Sequence, residues 1–555
     1  MHPLTRREFL RLCGFSFAGM FAASCAPLAR TPISGPTKRA GVPVVRLAGG
    51  DNGYPSPFAY VRGPGYIRSS YIFDTLIWKD SQGYIPWLAT DWQLSSDGKT
   101  WRFTLRDGVK WQDGSALTAD DVVFTFEYTK KLPANLPHTR GIELINHVIK
   151  TDDRHIEIEL SKPYAPFLAN IAGAVPVIPK HIWGKIANPF EYVAPEAVIG
   201  SGPYKLVTYE KTAGAYRYEA YDDFWLGKPF VQRIELVPVA DELAALRQGG
   251  IDGAGFPYEG GITDEMLAPF QQPTFGIVTA PGDWNAAIHF NLTQGAPYNQ
   301  VKFRQALAWA IDREELVKQI LMGRGDPGTP GWLAPSNPWR NPNVEPYKFN
   351  LAKARALLDD LGYADANGDG IRDLPNGKPL EIPLLYDSAS FARVPAMLQK
   401  MLREAGIAVV LKPVTRAVLD ESTASENFQV AITYYGGLGG DPDILRQVFC
   451  AKSQARIFYR VQGYLNPRFD ELAELQLTTT DDVKRKALVF DLQTILAHEV
   501  PVLPLYYPTR YWIYSKNVLA SWYYTPGGIA MGPPFTLNKH AFVTGETIGL
   551  QIRGR

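Results

Sequence analysis

The chain has 555 residues, with 57 basic and 56 acidic side chains and a formal net charge of +1. Because 46% of the residues are hydrophobic and the net charge is close to zero, the composition is that of a folded protein and not of a disordered one. The lack of a basic excess argues against a nucleic-acid partner. At about 150 residues per domain, the length predicts three to four domains or subdomains.

The first 25 residues have the parts of an export signal. Arg6 and Arg7 precede an apolar run over 12–23, and small residues lead to Cys25. The run would span about 18 Å as a helix, too short for a hydrocarbon core of roughly 30 Å. It resembles a twin-arginine signal followed by a lipoprotein cleavage site. We therefore expect residues 1–24 to be removed, Cys25 to be lipidated, and the protein to lie in the periplasm or on the outer face of the cytoplasmic membrane; cleavage without lipidation is the alternative.

Residues 25–41 mix Pro, Gly, Ser and charged residues without a hydrophobic period, which is typical of a tether. Of the three cysteines, Cys13 lies in the signal and Cys25 would be acylated. Cys450 would then remain alone, so no internal disulfide is expected. No other apolar run approaches the roughly 18 residues of a membrane-spanning helix.

Turn and periodicity signals predict the secondary structure of the remaining chain. Apolar residues alternate on both sides of an Asp-Gly turn, which predicts a hairpin over 91–105. Thr118 and Asp121 form a capping box that predicts a helix over 119–131. Further helices are predicted over 302–322, 351–361, 394–405 and 481–499, with strands over 382–386 and 408–412. The second half therefore alternates strand and helix, as α/β proteins do.

Four segments carry a resemblance to a known family. They are WLATDW through WRFTLRDGVKW to TADDV (87–122), GSGPYKL with DFWLGKP behind it (200–229), HFNL with VKFRQALAWAIDR (289–313), and GDPD (440–443). In order and spacing, from about residue 42 to 540, the chain resembles the family 5 extracellular solute-binding proteins of ABC importers, the peptide, nickel and oligosaccharide group.

The resemblance implies an α/β fold of the two-lobed, type II periplasmic-binding-protein kind, with an extra inserted subdomain and a hinge of two crossings. Lobe one would comprise 42–290 and 505–555, with its insert at about 86–195, and lobe two would comprise 291–504. A ligand that touches both lobes would favour the closed form. The protein would act as a monomer and hand its ligand to ABC permease subunits. A receptor that feeds a signalling partner is the alternative that the sequence leaves open.

The stretch 434–443 contains the most informative candidate ligand residues. Its glycines, Gly436 among them, allow close approach of the backbone to a ligand. In dipeptide-binding relatives an Asp three residues before the Asp-Pro-Asp binds the peptide ammonium, and Leu438 stands there in this chain. The resemblance therefore implies oligopeptides in preference to dipeptides, with oligosaccharides or other non-peptide solutes as the alternative. Asp441 could replace the missing aspartate, or it could cap a helix that begins at Pro442.

Aromatic residues beside predicted turns and crossings are the other candidates, because flat rings stack on sugars and on apolar side chains. Trp284 is the first choice, since Asn285 follows it directly ahead of an expected crossing. Packing in the hydrophobic core is the alternative for each ring. The full aromatic set is Tyr54, Trp284, Tyr434 and Tyr435.

Residues 365–376 resemble a calcium-binding loop, with oxygen-bearing residues at alternate positions and a central Gly. The ligands would be Asp365, Asn367, Asp369, the backbone of Ile371, and Asp373. Asn376 stands where such loops carry a bidentate Glu, which removes a charge and an oxygen. A structural Ca²⁺ is one interpretation and a loop of Asx turns is the other. No cofactor is required.

Sequence motifs of common enzymes are absent. The chain has no Gly-x-Ser-x-Gly, His-Glu-x-x-His or phosphate-loop motif, and its eight His residues lack metal-ligand spacing. We therefore expect no catalytic residue. An exported hydrolase, whose paired carboxylates a sequence does not reveal, is the remote alternative.

Overall fold

The computed structural model describes residues 41–59, 68–80, 83–132, 140–255, 262–438, 440–451, 461–520, 522 and 539–545. The expected signal, Cys25 and nearly all of the predicted tether lie outside these ranges, so those predictions stay untested. Among the described residues, no helix combines the length and the apolar character that a membrane span needs.

The described strands are, in chain order, β1 (Val45–Ala48), β2 (Ile77–Asp80), β3 (Gly83–Pro86), β4 (Ala89–Leu94), β5 (Thr100–Leu105), β6 (Ile145–Lys150), β7 (His155–Leu160), β8 (Tyr204–Glu210), β9 (Ala215–Ala220), β10 (Arg233–Val237), β11 (Gly253–Gly255), β12 (Phe275–Ala280), β13 (Asn285–Phe290), β14 (Gly325–Pro327), β15 (Glu381–Asp387), β16 (Ala408–Val414), β17 (Val430–Tyr435), β18 (Val502–Pro508) and β19 (Arg510–Ser515).

The described α-helices are α1 (Ala119–Thr129), α2 (Lys180–Trp183), α3 (Glu242–Arg247), α4 (Asp264–Leu267), α5 (Val301–Ala310), α6 (Arg313–Ile320), α7 (Leu351–Asp360), α8 (Val394–Glu404), α9 (Arg416–Ala424), α10 (Ile444–Phe449), α11 (Pro467–Thr478), α12 (Asp482–Glu499) and α13 (Lys539–Thr544).

Two large sheets organise the chain. The first has the strand order β12-β19-β11-β1-β10-β9-β8, and β1 runs parallel to both of its neighbours. The second has the order β14-β18-β13-β17-β15-β16 and is parallel where β15 meets β16 and β17. Each sheet packs into its own hydrophobic core. The two cores are the centres of two lobes.

A smaller sheet lies in the range predicted for the inserted subdomain. It is antiparallel, in the order β4-β5-β7-β6, and α1 packs on β6. The predicted hairpin is β4–β5, and Gly98 in its turn has a φ of +73°, which glycine adopts without steric cost. The Thr118 amide donates to the Asp121 carboxylate at 3.0 Å, as the capping box predicted.

Most of the predicted helices and strands of the second half are confirmed to within two residues, but the single helix over 302–322 is wrong. The chain forms α5 and α6 there, with a break at Ile311 and Asp312. The Asp312 carboxylate accepts a hydrogen bond from the Glu315 amide at 2.9 Å. An Asp inside an apolar-periodic run has therefore acted as the N-cap of a new helix.

The strand order places the crossings between the two sheets at 281–284 and at Thr509. The boundaries predicted after residue 290 and before residue 505 thus fall at the end of β13 and inside β18, both of which belong to the second sheet. Every residue of β13 is buried, because it is a central strand covered on both faces. We refer to the segments 281–284 and 508–510 as the hinge.

A buried ion pair attaches α13 to the first lobe. Lys539 Nζ lies 2.6 Å from Asp74 Oδ1, and neither side chain is exposed to solvent. The Asp74 carboxylate also accepts hydrogen bonds from Trp87 Nε1 at 2.7 Å and Ser201 Oγ at 3.1 Å. Burial disfavours the charged ammonium and lowers the pKa of Lys539. The last described helix is therefore part of the first core.

We expect Lys539→Met to lower the free energy of unfolding by about 3 to 5 kcal/mol, because the Asp74 carboxylate would stay buried without its counter-ion. Urea denaturation followed by circular dichroism measures the change. Lys228→Met is the matched control, since Lys228 and its partner Asp222 are 54% and 67% exposed and such pairs contribute about 1 kcal/mol or less. Equal, small effects of the two substitutions would contradict the prediction.

Candidate functional site

The two hinge segments are joined by one ion pair. Arg510 Nε lies 2.7 Å from Asp283 Oδ1, and Asp283 is only 2% exposed. The segments are also in backbone contact, since a Cβ on Gly282 would come within 2.5 Å of the Pro508 carbonyl oxygen. The paired residues are 227 positions apart in the chain. The fold therefore brings together charges that no local sequence pattern connects.

Trp284 lies against the glycine turn that follows β17. Its ring is half-buried, and a Cβ on Gly436 would lie 2.5 Å from it. Gly437 follows with a φ of +78°, in the left-handed region. Only glycine at position 436 leaves room for the indole. The structure therefore brings two of the predicted ligand residues, Trp284 and Gly436, together beside the hinge.

Asn285, Tyr434 and Tyr435 lie on the paired strands β13 and β17, where Asn285 is opposite Tyr435. The Tyr435 hydroxyl is 3.1 Å from His289 Nδ1, and the Tyr435 side chain is buried in the second core. The Tyr434 ring stacks on Phe391 with centroids 4.4 Å apart. Both tyrosines thus pack in the hydrophobic core, which was the alternative to ligand contact. Asn285 lies at the end of β13 that is next to the hinge.

Tyr54 belongs to the first lobe. Its hydroxyl donates to the Ala194 carbonyl oxygen at 3.3 Å, and its ring meets that of Tyr209 edge-on with centroids 5.9 Å apart. Burial raises the pKa of Tyr54. These contacts are all within the first lobe, so the structure does not join Tyr54 to Trp284 by a direct contact.

Leu438 is fully buried and packs in the second core. Its amide donates to the Asp283 carbonyl oxygen at 2.9 Å, and its own carbonyl oxygen accepts from Asn337 Nδ2 at 2.7 Å. Leu438 therefore fastens the glycine turn to the hinge through its backbone, while its side chain offers no charge to a ligand.

Asp441 is engaged by an arginine. Arg485 donates two hydrogen bonds to its carboxylate, at 2.9 and 2.7 Å, and Arg446 likewise donates two to Asp443, at 2.7 and 3.0 Å. Burial is the largest single effect on the pKa of Asp443 and acts to raise it, but the charge and hydrogen bonds of Arg446, with smaller effects of Gln447 and Arg485, together lower the pKa. The helix predicted from residue 442 begins at Ile444, after a turn in which the Asp443 amide donates to Asp441. Both carboxylates thus have structural partners.

The inserted subdomain touches the second lobe at a surface that sequence reasoning missed. The Ala165 amide donates to the Leu477 carbonyl oxygen at 2.8 Å, and Lys162 Nζ lies 3.5 Å from the Glu474 carboxylate. We call these residues, together with Tyr164, the closure surface. About 300 residues separate its two sides, so no motif or period could have indicated the contact.

Tyr164 fills the centre of the closure surface. It is 2% exposed, and a Cβ on Gly141 would come within 2.4 Å of its ring. Its hydroxyl accepts a hydrogen bond from Asn170 Nδ2 at 2.8 Å. Burial, and then the nearby Asp443 charge, raise the pKa of Tyr164. The ring of the inserted subdomain is therefore packed close to the ionic groups of the second lobe.

In the predicted calcium loop, the side-chain oxygens accept hydrogen bonds from backbone amides of the same loop. Asp365 accepts hydrogen bonds from two loop glycines at 2.7 and 2.9 Å, Asn367 accepts from the Asp369 amide at 2.9 Å, and Asp373 accepts from Ala366 at 3.0 Å. Within the described part of the chain, no three His, Cys, Asp or Glu side chains are grouped so that they could hold a metal ion. The Asn367 contact is that of an Asx turn, and the other three hydrogen bonds close the loop on itself. Calcium binding by the loop stays one of the two interpretations, untested by these contacts.

Two buried groups near the hinge have shifted pKa values. Burial raises the pKa of Asp283 to about 6, although the Arg510 charge acts against the shift. Burial lowers the pKa of His289 to about 4, since a charged imidazole would lie in the second core. Acidification therefore protonates Asp283 in the folded protein while His289 stays neutral.

Comparisons with known proteins agree with this architecture. Residues 83–456 match the model of bacterial extracellular solute-binding proteins, family 5, middle part. The dipeptide-binding protein of Escherichia coli (strain K12) is 27% identical over 461 residues, covering 78% of this chain and 83% of the relative. The nickel-binding periplasmic protein of the same strain is 27% identical over 495 residues, covering 84% and 89%.

A solved structure shows the same fold. The oligopeptide-binding protein AppA from Bacillus subtilis, in complex with a nonapeptide, matches with a TM-score of 0.70 at 22% identity. The match covers 86% of this chain and 95% of that one. The predicted α/β fold of the type II periplasmic-binding kind is thereby confirmed.

We expect Asp283 and His289 to affect acid stability in opposite directions. Between pH 7 and pH 5, the raised pKa of Asp283 makes the folded chain bind more protons than the unfolded one, which stabilises it by about 1 kcal/mol. The lowered pKa of His289 destabilises it by about 2 kcal/mol over the same interval. On acidification Asp283→Asn should therefore lose about 1 kcal/mol more stability than the wild type, and His289→Gln about 2 kcal/mol less.

Urea denaturation of the three proteins at both pH values provides the measurement. Comparing each variant with itself at two pH values removes the constant effect of the substitution on stability. Identical pH dependence of all three proteins would contradict the assignment.

For the loop over 365–373 we expect a melting temperature that changes by less than about 1 °C when EDTA or excess Ca²⁺ is added. A cation bound by the folded state alone would have to raise it. Differential scanning fluorimetry of the wild type and of Asp365→Ala makes the comparison. A fall with EDTA that is absent in the variant would establish the calcium site instead.

Proposed function

Because the chain belongs to the bacterial extracellular solute-binding proteins of family 5, we propose that it captures peptides and delivers them to the permease subunits of an ABC importer. Oligopeptides are the favoured class over dipeptides. The observation that carries this proposal is the hinge, which joins two lobes through two crossings and has Trp284 and Gly436 beside it.

The mechanism of capture rests on a difference in burial between the hinge and the closure surface, the two regions where the lobes meet. The hinge is buried and charged, whereas the Lys162–Glu474 pair of the closure surface is 43% and 45% exposed. Exposed pairs of this kind contribute about 1 kcal/mol or less. The closed form therefore gains most from a solute that touches both lobes, and the solute drives closure by its higher affinity for that form.

Two observations favour oligopeptides. Leu438 has no charge, and Asp441 is already paired with Arg485, so neither residue is free to bind a dipeptide ammonium. At Gly437 no heavy atom lies within 4 Å of the position that a Cβ would occupy, so a longer chain can approach the backbone there. A nonapeptide is the ligand in the AppA structure, although another relative is named for nickel. An oligosaccharide or another non-peptide solute is the alternative.

The proposed function also includes export from the cytoplasm and attachment to the membrane. Residues 1–24 would direct export and Cys25 would carry a lipid, which holds the receptor at the outer face of the cytoplasmic membrane. The protein works as a monomer, without catalysis and without a required cofactor. A Ca²⁺ ion in the loop over 365–373 would be structural only.

Mass spectrometry of the small molecules released by denaturing residues 26–555 tests the proposal directly. We expect peptides longer than two residues, because tightly held ligands survive purification when their dissociation constants fall well below micromolar. A sugar or a metal chelate in the released fraction would overturn the peptide assignment.

The released peptides then probe the site by titration calorimetry. Trp284→Ala should weaken their binding by about tenfold or more, which corresponds to roughly 1.4 kcal/mol. Trp309→Ala is the matched control, because Trp309 is also half-buried but lies on α5 under Lys353, outside the hinge. Unchanged binding in Trp284→Ala would remove Trp284 from the site.

A further inference from the structure

One carboxylate oxygen at the hinge lacks a hydrogen-bond donor. Arg510 Nε donates to Asp283 Oδ1, but among the described residues no donor reaches Asp283 Oδ2. The side chain is 2% exposed, so bulk water does not replace the donor. Buried carboxylate oxygens are ordinarily bonded, because leaving one without a donor is costly. The hinge therefore contains an acceptor whose partner is not part of the described chain.

Two more oxygens without partners lie at the same end of the second sheet. Asn285 follows Asp283 by two residues, and Thr433 is opposite Ala287 in the β13–β17 register. Asn285 Oδ1 and Thr433 Oγ1 are buried and have no hydrogen-bond partner within the described ranges. Alternate residues of a strand share a face, and so do residues directly opposite each other. Asn285 and Thr433 therefore lie on one face of this strand pair.

The other carboxylates near the glycine turn are occupied. Asp441 receives both of its hydrogen bonds from Arg485 at 2.9 and 2.7 Å. Asp443 receives donors from Arg446 and from Gln476, the latter at 3.0 Å. Of the three described carboxylates discussed here, Asp283, Asp441 and Asp443, Asp283 is thus the one with an oxygen that has no donor.

We propose that Asp283 binds the ammonium group of the captured solute through Oδ2, with Asn285 as a second acceptor. The inference rests on the proposed function, since it names the chemical group by which a peptide is recognised. An ammonium group carries one positive charge and three N–H donors, which suits a set of oxygens that lack donors. The next residue, Trp284, is half-buried, so solvent reaches the hinge one residue away from Asp283.

The charges at the site favour an ammonium over a metal ion. A divalent cation needs several anionic or carbonyl oxygens, whereas Asp283 Oδ2 is the one carboxylate oxygen that the site offers. The described residues contain no grouping of three or more acidic, His or Cys side chains that could hold such an ion. A zwitterionic peptide brings its own balancing carboxylate.

Calorimetry with paired synthetic peptides tests the proposal. The probes are a mixture of lysine-free pentapeptides, the same mixture with acetylated amino termini, and acetylated pentapeptides that contain one lysine. We expect the wild type to bind the free form at least tenfold more tightly than the acetylated form, and Asp283→Asn to lose this preference. Recovery of binding by the acetylated lysine peptides would identify a side-chain ammonium as the recognised group instead of the amino terminus.

Asp252→Asn is the matched control. Asp252 is also buried, but its Oδ2 accepts from the Arg46 amide at 2.6 Å, in the first sheet. This variant should keep the wild-type preference. If Asp283→Asn does not fold, Asn285→Ala takes its place and should weaken the preference, and a wild type that binds free and acetylated peptides equally still overturns the proposal.

The outcomes separate the two proposals. A wild type that binds free and acetylated peptides equally, with no gain from lysine, overturns the role of Asp283 and leaves peptide capture standing. If a folded Asp283→Asn variant still prefers free over acetylated peptides, the role of Asp283 is also overturned and peptide capture is left standing. A wild type that binds none of the three peptide sets overturns the proposed function, and the role of Asp283 with it.

Discussion

The ion pair between Asp283 and Arg510 holds together the two segments through which the chain passes from one lobe to the other. Both charges are largely buried, so removing either partner would leave the other without compensation in a region of low polarity. The Asp283 carbonyl oxygen also accepts the Leu438 amide, which fixes the glycine turn at the same point. Three distant parts of the sequence therefore meet at one residue, Asp283, which directly precedes Trp284.

Under the proposed function, the contrast between the hinge and the closure surface would determine how a solute affects the arrangement of the lobes. The hinge is tight, with backbone of one hinge segment against backbone of the other at Gly282. The closure surface includes one backbone hydrogen bond, an exposed ion pair and the packing of Tyr164 and Leu477 in the first core. A tightly packed hinge would limit the number of open arrangements, and the free energy of ligand binding would then decide between the open and the closed form.

Local signals explain which parts of this structure the sequence could predict. The Asp-Gly turn, the Thr118 capping box and the apolar periods of α7, α8 and α12 act within a few residues, and each produced the expected element. Asp312 is an exception, because an acidic cap inside an apolar period divides one predicted helix into two. The Asp283–Arg510 pair and the closure surface could not be predicted, because their partners are hundreds of residues apart and only the fold brings them together.

The order of strands along the chain also has a consequence for biosynthesis. The second sheet is built from β13 to β18 without interruption, whereas the first sheet needs β19 and its core needs Lys539. A growing chain can therefore complete the second lobe while the first still lacks its closing strand and buried lysine. Domains generally fold as units during synthesis. The first lobe is therefore begun first and completed last. Its strand β11 stays unpaired on one side until β19, in the final tenth of the chain, has been synthesised.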